Sequence, residues 1–344
     1  MENESIPPIT ERQSAAFYAL KGLAIIAVVC AHCTNGAGGG DLAALLFKLR
    51  SIVGTLGVPC FFFASGYFYK RSSGDTLNFW RKKIPTIFVP WLVAAILTFA
   101  YWTLKDRNFA DLLVRFVKWF LGIGSWFYFM TALICCFAWF KMAKDRFDLW
   151  TTMALTIGSM VATRLGYIPK GEWFTEYVNP FNWLGFFALG IWARRYAEKR
   201  LFEQKRPVWF ALGLFALIAG VRARFYYNDF ADAEGNPIVG YFSFFALPIE
   251  LGALVVALGL ANLLRKSRFF VDLGKKSFAV YFYHMPIVGI VCALFKRFEG
   301  PATPVLVVAA PLVAVLVAYL ALLLLEFVAK KLRLTPALTL LGLR

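Results

Sequence analysis

Only two histidines occur among 344 residues. Both, His32 and His284, fall inside apolar stretches. Histidine is the natural general base near neutral pH, and an ionisable group placed inside a membrane is a functional candidate by default. Lys21, Glu250 and Glu326 share that setting. Lys21 and His32 are eleven residues apart in ALKGLAIIAVVCAH. On a helix this spacing brings them within about 20° of one direction and about 16 Å apart along the axis. The face between them passes Ala24, Ile25 and Val28 without a charge. Lys21 suits either snorkelling to the interface or a role on that face. His32 suits either an interfacial hydrogen bond or proton transfer.

His284 lies in SFAVYFYHMPIV, with Pro286 two residues later. A proline there frees backbone carbonyls that a histidine could bond; a site role is the alternative. Glu250, in FFALPIELGAL, follows Pro248 and is the most deeply placed acid. It could orient a histidine or pair with a buried cation. Glu326 falls near the end of the last apolar block and is expected to snorkel.

The elements that must carry these residues are membrane helices. The chain is 60 % hydrophobic, against about 45–50 % in soluble domains. The excess gathers in blocks of the roughly 17–25 residues that a crossing helix needs. Ten spans are expected: Ala15–Thr34, Ile52–Tyr69, Ile84–Leu104, Gly124–Met142, Leu149–Ile168, Phe181–Tyr196, Pro207–Ala223, Tyr241–Leu264, Ser277–Phe295 and Thr303–Val328. An interfacial helix over Phe109–Leu121 precedes the fourth, and the seventh runs into Arg222 and Arg224. The fold class is therefore an all-α polytopic bundle of about ten transmembrane helices in one domain, with tails at 1–14 and 329–344.

The net charge of +17 could suggest nucleic acid, but its distribution argues against that partner. With both termini in the cytoplasm, the cytoplasmic segments hold about twice the Lys and Arg of the outer loops. The clusters Lys70–Lys83, Arg194–Arg206 and Arg265–Lys276 then set topology and touch anionic lipid. The first fourteen residues lack a basic signal-peptide region, so the first span is expected to be retained. Six cysteines lie in or beside apolar blocks and read as small buried hydrophobes. No zinc spacing, Walker sequence or nucleophile elbow occurs, and no metal is expected.

ALKGLAIIAVVCAH, GVPCFFFASGYFY, NFWRKKIPTIFVPW, SWFYFMTALI and SFAVYFYHMPIV follow one another in order. Together they resemble the acyltransferase 3 family of membrane-bound acyl transferases across roughly Ala15 to Val328. Lys21 and His32 match the family's basic residue–ten residues–histidine signature, and His284 matches its late Tyr-x-x-His-x-Pro motif. One departure stands out. Where the family often carries Arg-x-x-Arg before the third span, this chain has Lys83 and Thr86. Arg81 and Lys82 are the neighbouring cations that could compensate, since lysine also binds phosphate as a point charge.

The resemblance implies transfer of an acyl group, usually acetyl, from cytoplasmic acyl-CoA to a hydroxyl of a glycan or related cell-envelope acceptor. It implies His32 as general base, Lys21 at the donor or along the acyl path, and His284 orienting substrate or stabilising charge. Lys83, Arg81 and Lys82 would meet the donor. The setting implied is the bacterial inner membrane, and the lack of an appended domain resembles the stand-alone branch. A different class, a transporter or flippase of a glycan or lipid intermediate, is compatible with proline-bearing spans and a buried carboxylate. Inverted repeats of the kind many transporters show are not evident. A subunit or sensor without turnover is a third reading.

Overall fold

The computed structural model describes residues 9–35, 40–69, 76–142, 149–168, 176–197, 207–230 and 240–343. Every regular element among them is helical. Helix α1, Glu11–His32, starts at a reciprocal cap: Gln13 N donates to Thr10 Oγ1 at 3.3 Å, and Thr10 N donates to Gln13 Oε1 at 2.7 Å. This capping box satisfies two amide groups that a helix start otherwise leaves unpaired. Helices α2, Asp41–Thr55, and α3, Gly57–Tyr67, are interrupted at Leu56. Pro59 cannot donate back to Thr55, which favours a break there. The expected second span therefore begins earlier than Ile52 and is bent.

Helix α4, Thr76–Lys83, runs through a π-helical turn, Ile84–Phe88, into α5, Val89–Asp106. Pro85 and Pro90 each remove a backbone donor in this stretch. The short α6, Leu112–Leu121, lies between left-handed Asp111 (φ 45°) and Gly122 (φ 86°). It turns Leu113 and Val117 outward, as the expected interfacial helix should. There follow α7, Tyr128–Met142; α8, Leu149–Arg164; and α9, Phe181–Trp192. The remainder is α10, Pro207–Tyr226; α11, Ala246–Leu264; α12, Arg268–Lys296; α13, Thr303–Lys331; and α14, Thr335–Leu340.

Seven helical stretches among the described residues are long and apolar enough to cross a membrane, with α2–α3 and α4–α5 each counted as one. The chain is thus a multi-pass membrane protein. The expected count of ten is not reached by this measure, because α7, α8 and α9 have 15, 16 and 12 residues. Even sixteen helical residues span only about 24 Å. Helix α9 is almost wholly buried against α3 and α8.

Helix α1 is the hub. It packs on α12 above all, and on α2, α3 and α11. Small residues allow the closest of these approaches: a Cβ built on Gly274 of α12 would lie 1.7 Å from Tyr18 O, and one on Gly22 would lie 2.5 Å from Phe270 O. Without a hydrophobic difference between lipid and side chains, such close backbone packing is a main source of helix association in membranes.

Three expectations about charged and terminal residues change. Glu326 does not simply snorkel: its Oε1 pairs with Lys276 Nζ at 3.3 Å. Lys276 also meets Asp272 at 2.8 Å, and Tyr319 donates to the same carboxylate at 2.7 Å. Lys276 and Arg194 are buried rather than spread on lipid. The carboxylates of Asp272 and Glu326 hold the first; the second donates to Tyr67 Oη at 3.3 Å. Residues 70–75 and 198–206 of the expected basic clusters lie outside the described residues. The expected C-terminal tail is partly core: α13 continues to Lys331, and Leu338 and Leu343 are buried.

Candidate active site

The two histidines meet. Their ring centroids are 5.1 Å apart with an interplanar angle of 50°. Hydropathy alone places them at different depths, because it starts the ninth span at Ser277. The helix instead starts at Arg268, and its charged first turns carry His284 to the level of His32. His32 ends α1 and is partly exposed to a cavity of about 940 Å³. His284 lies behind it and is 1 % exposed.

The His284 ring is held by its own helix. Nδ1 is 2.7 Å from Tyr281 O. A carbonyl only accepts, so Nδ1 carries the proton and Nε2 presents a lone pair. Nε2 has no hydrogen-bond partner among the described residues. Pro286 has no N–H to return to Phe282 O, and the Trp126 indole takes that carbonyl at 3.3 Å. The Tyr281 hydroxyl donates in turn to Trp126 O. Trp126 thus fastens the segment before α7 to the proline-bearing turn and sets its ring 6.0 Å from His284.

A parallel device fixes His32. Pro311 of α13 frees Val307 O, and Arg50 Nη1 donates to it at 3.1 Å. Arg50 Nη2 donates at 2.5 Å to Cys33 O, the carbonyl immediately after His32. Asn35 adds a bond to Cys292 O of α12 at 3.2 Å and one to Glu299 Oε1 at 3.3 Å. Arg50, Trp126 and Tyr281 were missing from the candidates drawn from sequence. Arg50 reads there as one more loop cation; only the two freed carbonyls, four residues before Pro286 and Pro311, hinted that donors must come from elsewhere. Arg50→Ala is expected to destabilise the protein by about 1–3 kcal/mol for each buried carbonyl left unpaired. Thermal unfolding in detergent would show it, and Arg50→Lys should recover only part, because lysine lacks the two-pronged geometry.

The cavity wall is aromatic and polar together. Trp102, Trp119, Trp126, Tyr128, Tyr177 and Tyr241 contribute rings, and Asp106, Glu176, Ser51 and Thr55 contribute oxygens. Arg115 and Lys118 of α6 reach it as well.

The remaining candidates lie elsewhere. Lys21 sits at the middle of α1, eleven residues before His32, with Nζ 5.3 Å from the Phe68 ring centroid. Lys83 lies over Phe137 at 4.2 Å and Phe79 at 5.5 Å, and Lys141 lies 5.8 Å from the Phe79 ring. The Phe68 ring packs on Phe17 and Tyr67, whereas the Tyr69 ring touches Phe79 and Phe137. Lys83 and Lys141 therefore share the Phe79 ring, while Lys21 lies over the separate ring of Phe68. Arg81 and Lys82 are exposed on α4. The Thr86 hydroxyl bonds back to Lys82 O at 2.8 Å, so it does not replace a guanidinium. None of Lys21, Arg81, Lys82 and Lys83 lines the cavity that His32 lines.

Glu250 is fully buried, and neither carboxylate oxygen has a hydrogen-bond partner among the described residues. Its electrostatic neighbours are Arg224, Tyr241 and Cys60. Arg224 donates through Nε to Asp229 O at 3.1 Å. Of the two roles open to Glu250, the structure places it near a buried cation rather than beside either histidine.

Fold and site together define a polytopic helical membrane protein with a histidine pair, one member of which, His32, lines a polar, aromatic cavity. Residues 15–324, nearly the whole chain, match the acyltransferase domain family of the acyltransferase 3 type, and the protein belongs to that family. No curated protein and no solved structure matches the chain.

Proposed function

We propose that this acyltransferase moves an acyl group, acetyl in the first instance, from acyl-CoA to a hydroxyl of a glycan acceptor. The observation that carries the reading is the 5.1 Å histidine pair with His32 facing the cavity. An acceptor hydroxyl in the cavity gives its proton to His32 as its oxygen attacks the thioester carbonyl. The C–S bond then breaks, and the imidazolium returns the proton to the departing CoA sulfur. His284 offers Nε2 as acceptor toward the same centre and orients substrate or the first ring. Rings and carboxylates side by side suit a saccharide, whose C–H faces stack while its hydroxyls donate.

Acyl-CoA is polyanionic, and the cations around Phe68, Phe79 and Phe137 supply the matching charge. Lys21 and Lys83, joined by Arg81 and Lys82, are assigned to the donor. The donor end and His32 are separated by about 16 Å of helix, a path that the extended arm of CoA suits. In this reading the protein lies in a bacterial inner membrane with both termini cytoplasmic, so the donor end faces the CoA pool and the cavity faces outward.

The test is purified protein in liposomes with labelled acetyl-CoA and an oligosaccharide. The expected result is an alkali-labile acyl ester on the sugar, with free CoA thiol released in equal amount. The buried Arg224 and Glu250 are what a transporter of glycans would use. Movement of sugar without any CoA requirement, and without ester formation, would replace the present reading with that one.

A further inference from the structure

Three thiols crowd the junction beyond the histidine pair. Cys30 and Cys33 flank His32, and Cys292 faces them from α12, about two turns after His284. All three are free and buried. Cys33 and Cys292 lie against one another, with Asn35, two residues after Cys33, donating to Cys292 O at 3.2 Å, and the Arg50 guanidinium lies within electrostatic reach of all three sulfurs. The backbone is clamped on both sides of this contact: Arg50 holds Cys33 O, and Asn35 holds Cys292 O. Cys30 is placed differently. It stands three residues before Cys33, and helical neighbours at that spacing keep their Cβ atoms about 5–6 Å apart. A disulfide needs about 3.5–4.5 Å.

We propose that Cys33 and Cys292 form a thiol–disulfide couple, whose oxidised state ties the end of α1 beside His32 to the helix carrying His284. The oxidant is a small or protein-borne disulfide. Cys292, 9 % exposed against 3 % for Cys33, loses its proton and attacks the oxidant's S–S bond, releasing one thiol. Cys33 loses its proton and displaces the second thiol from the mixed disulfide. Two electrons leave the cysteines and reduce the oxidant to two thiols. In the proposed orientation this junction lies on the outer side, where disulfides persist. The chemical competence of the pair stands apart from orientation and from acyl transfer.

The experiment treats purified full-length protein with hydroxyethyl disulfide, then denatures it, alkylates the remaining thiols and weighs it. The wild type should lose two of its six alkylatable thiols and regain them with dithiothreitol. Trypsin should yield a reducible link between the peptide starting at Gly22 and that starting at Ser277. Cys30→Ala should still form the link, and Cys292→Ala should not. Retention of all six thiols, arrest at a mixed disulfide, or a Cys30–Cys33 link would overturn the proposal. Because the readout counts thiols, its failure would leave the acyltransferase reading untouched, and the reverse also holds.

Discussion

His32→Ala is expected to lower the rate of acyl transfer by about 10²–10⁴-fold, the usual contribution of a positioned general base. The loss should fall on kcat, with the KM for acyl-CoA little changed, because none of the proposed donor cations lines the cavity of His32. Lys21→Ala should behave in the opposite way, raising the KM for acyl-CoA more than it lowers kcat. Steady-state kinetics on folded, size-homogeneous protein separates the two. The cavity wall at His32 is shared among α1, α2, α3, α5, α6, α12 and the segments around Trp126, Tyr177 and Tyr241, so removing one imidazole should leave the fold intact.

The second large effect is expected far from any reacting atom. Gly274→Ala would place a Cβ 1.7 Å from Tyr18 O, a backbone atom that cannot swing aside. Helices α1 and α12 must then separate, at a cost of about 1–3 kcal/mol by analogy with overpacked cores. The same separation pulls His32 from His284, and a displacement of about 1 Å in a catalytic group can cost about 10²-fold in rate. Gly289 provides the control. It lies on α12, and a methyl group added there would meet nothing within 4 Å. Gly289→Ala should therefore leave rate and thermal midpoint nearly unchanged.

What the sequence disclosed follows from what each signal measures. The eclipsed Lys21 and His32 were legible because both lie on one helix and the period is fixed. The membrane class was legible because block length reflects bilayer thickness. The meeting of His32 with His284 was not, because hydropathy ends a span at its first charges, whereas α12 continues through Arg268–Lys276 with Lys276 neutralised by Asp272 and Glu326. Pro286 announced freed carbonyls and Pro311 carries the same signal, but neither shows that Trp126 and Arg50 take them; those partners are 156 and 257 residues away from the carbonyls they bind. Glu250 was visible as an unusual acid, while its neighbour Arg224 looked only like an awkward end to a span.

The most direct test of the histidine pair is a double-mutant cycle on acyl transfer, comparing wild type, His32→Ala, His284→Ala and the double variant. Groups that act as one unit give strongly non-additive losses. The double variant is expected to be about as slow as His32→Ala alone. Losses that simply multiply, or a His32→Ala enzyme as fast as wild type, would contradict it.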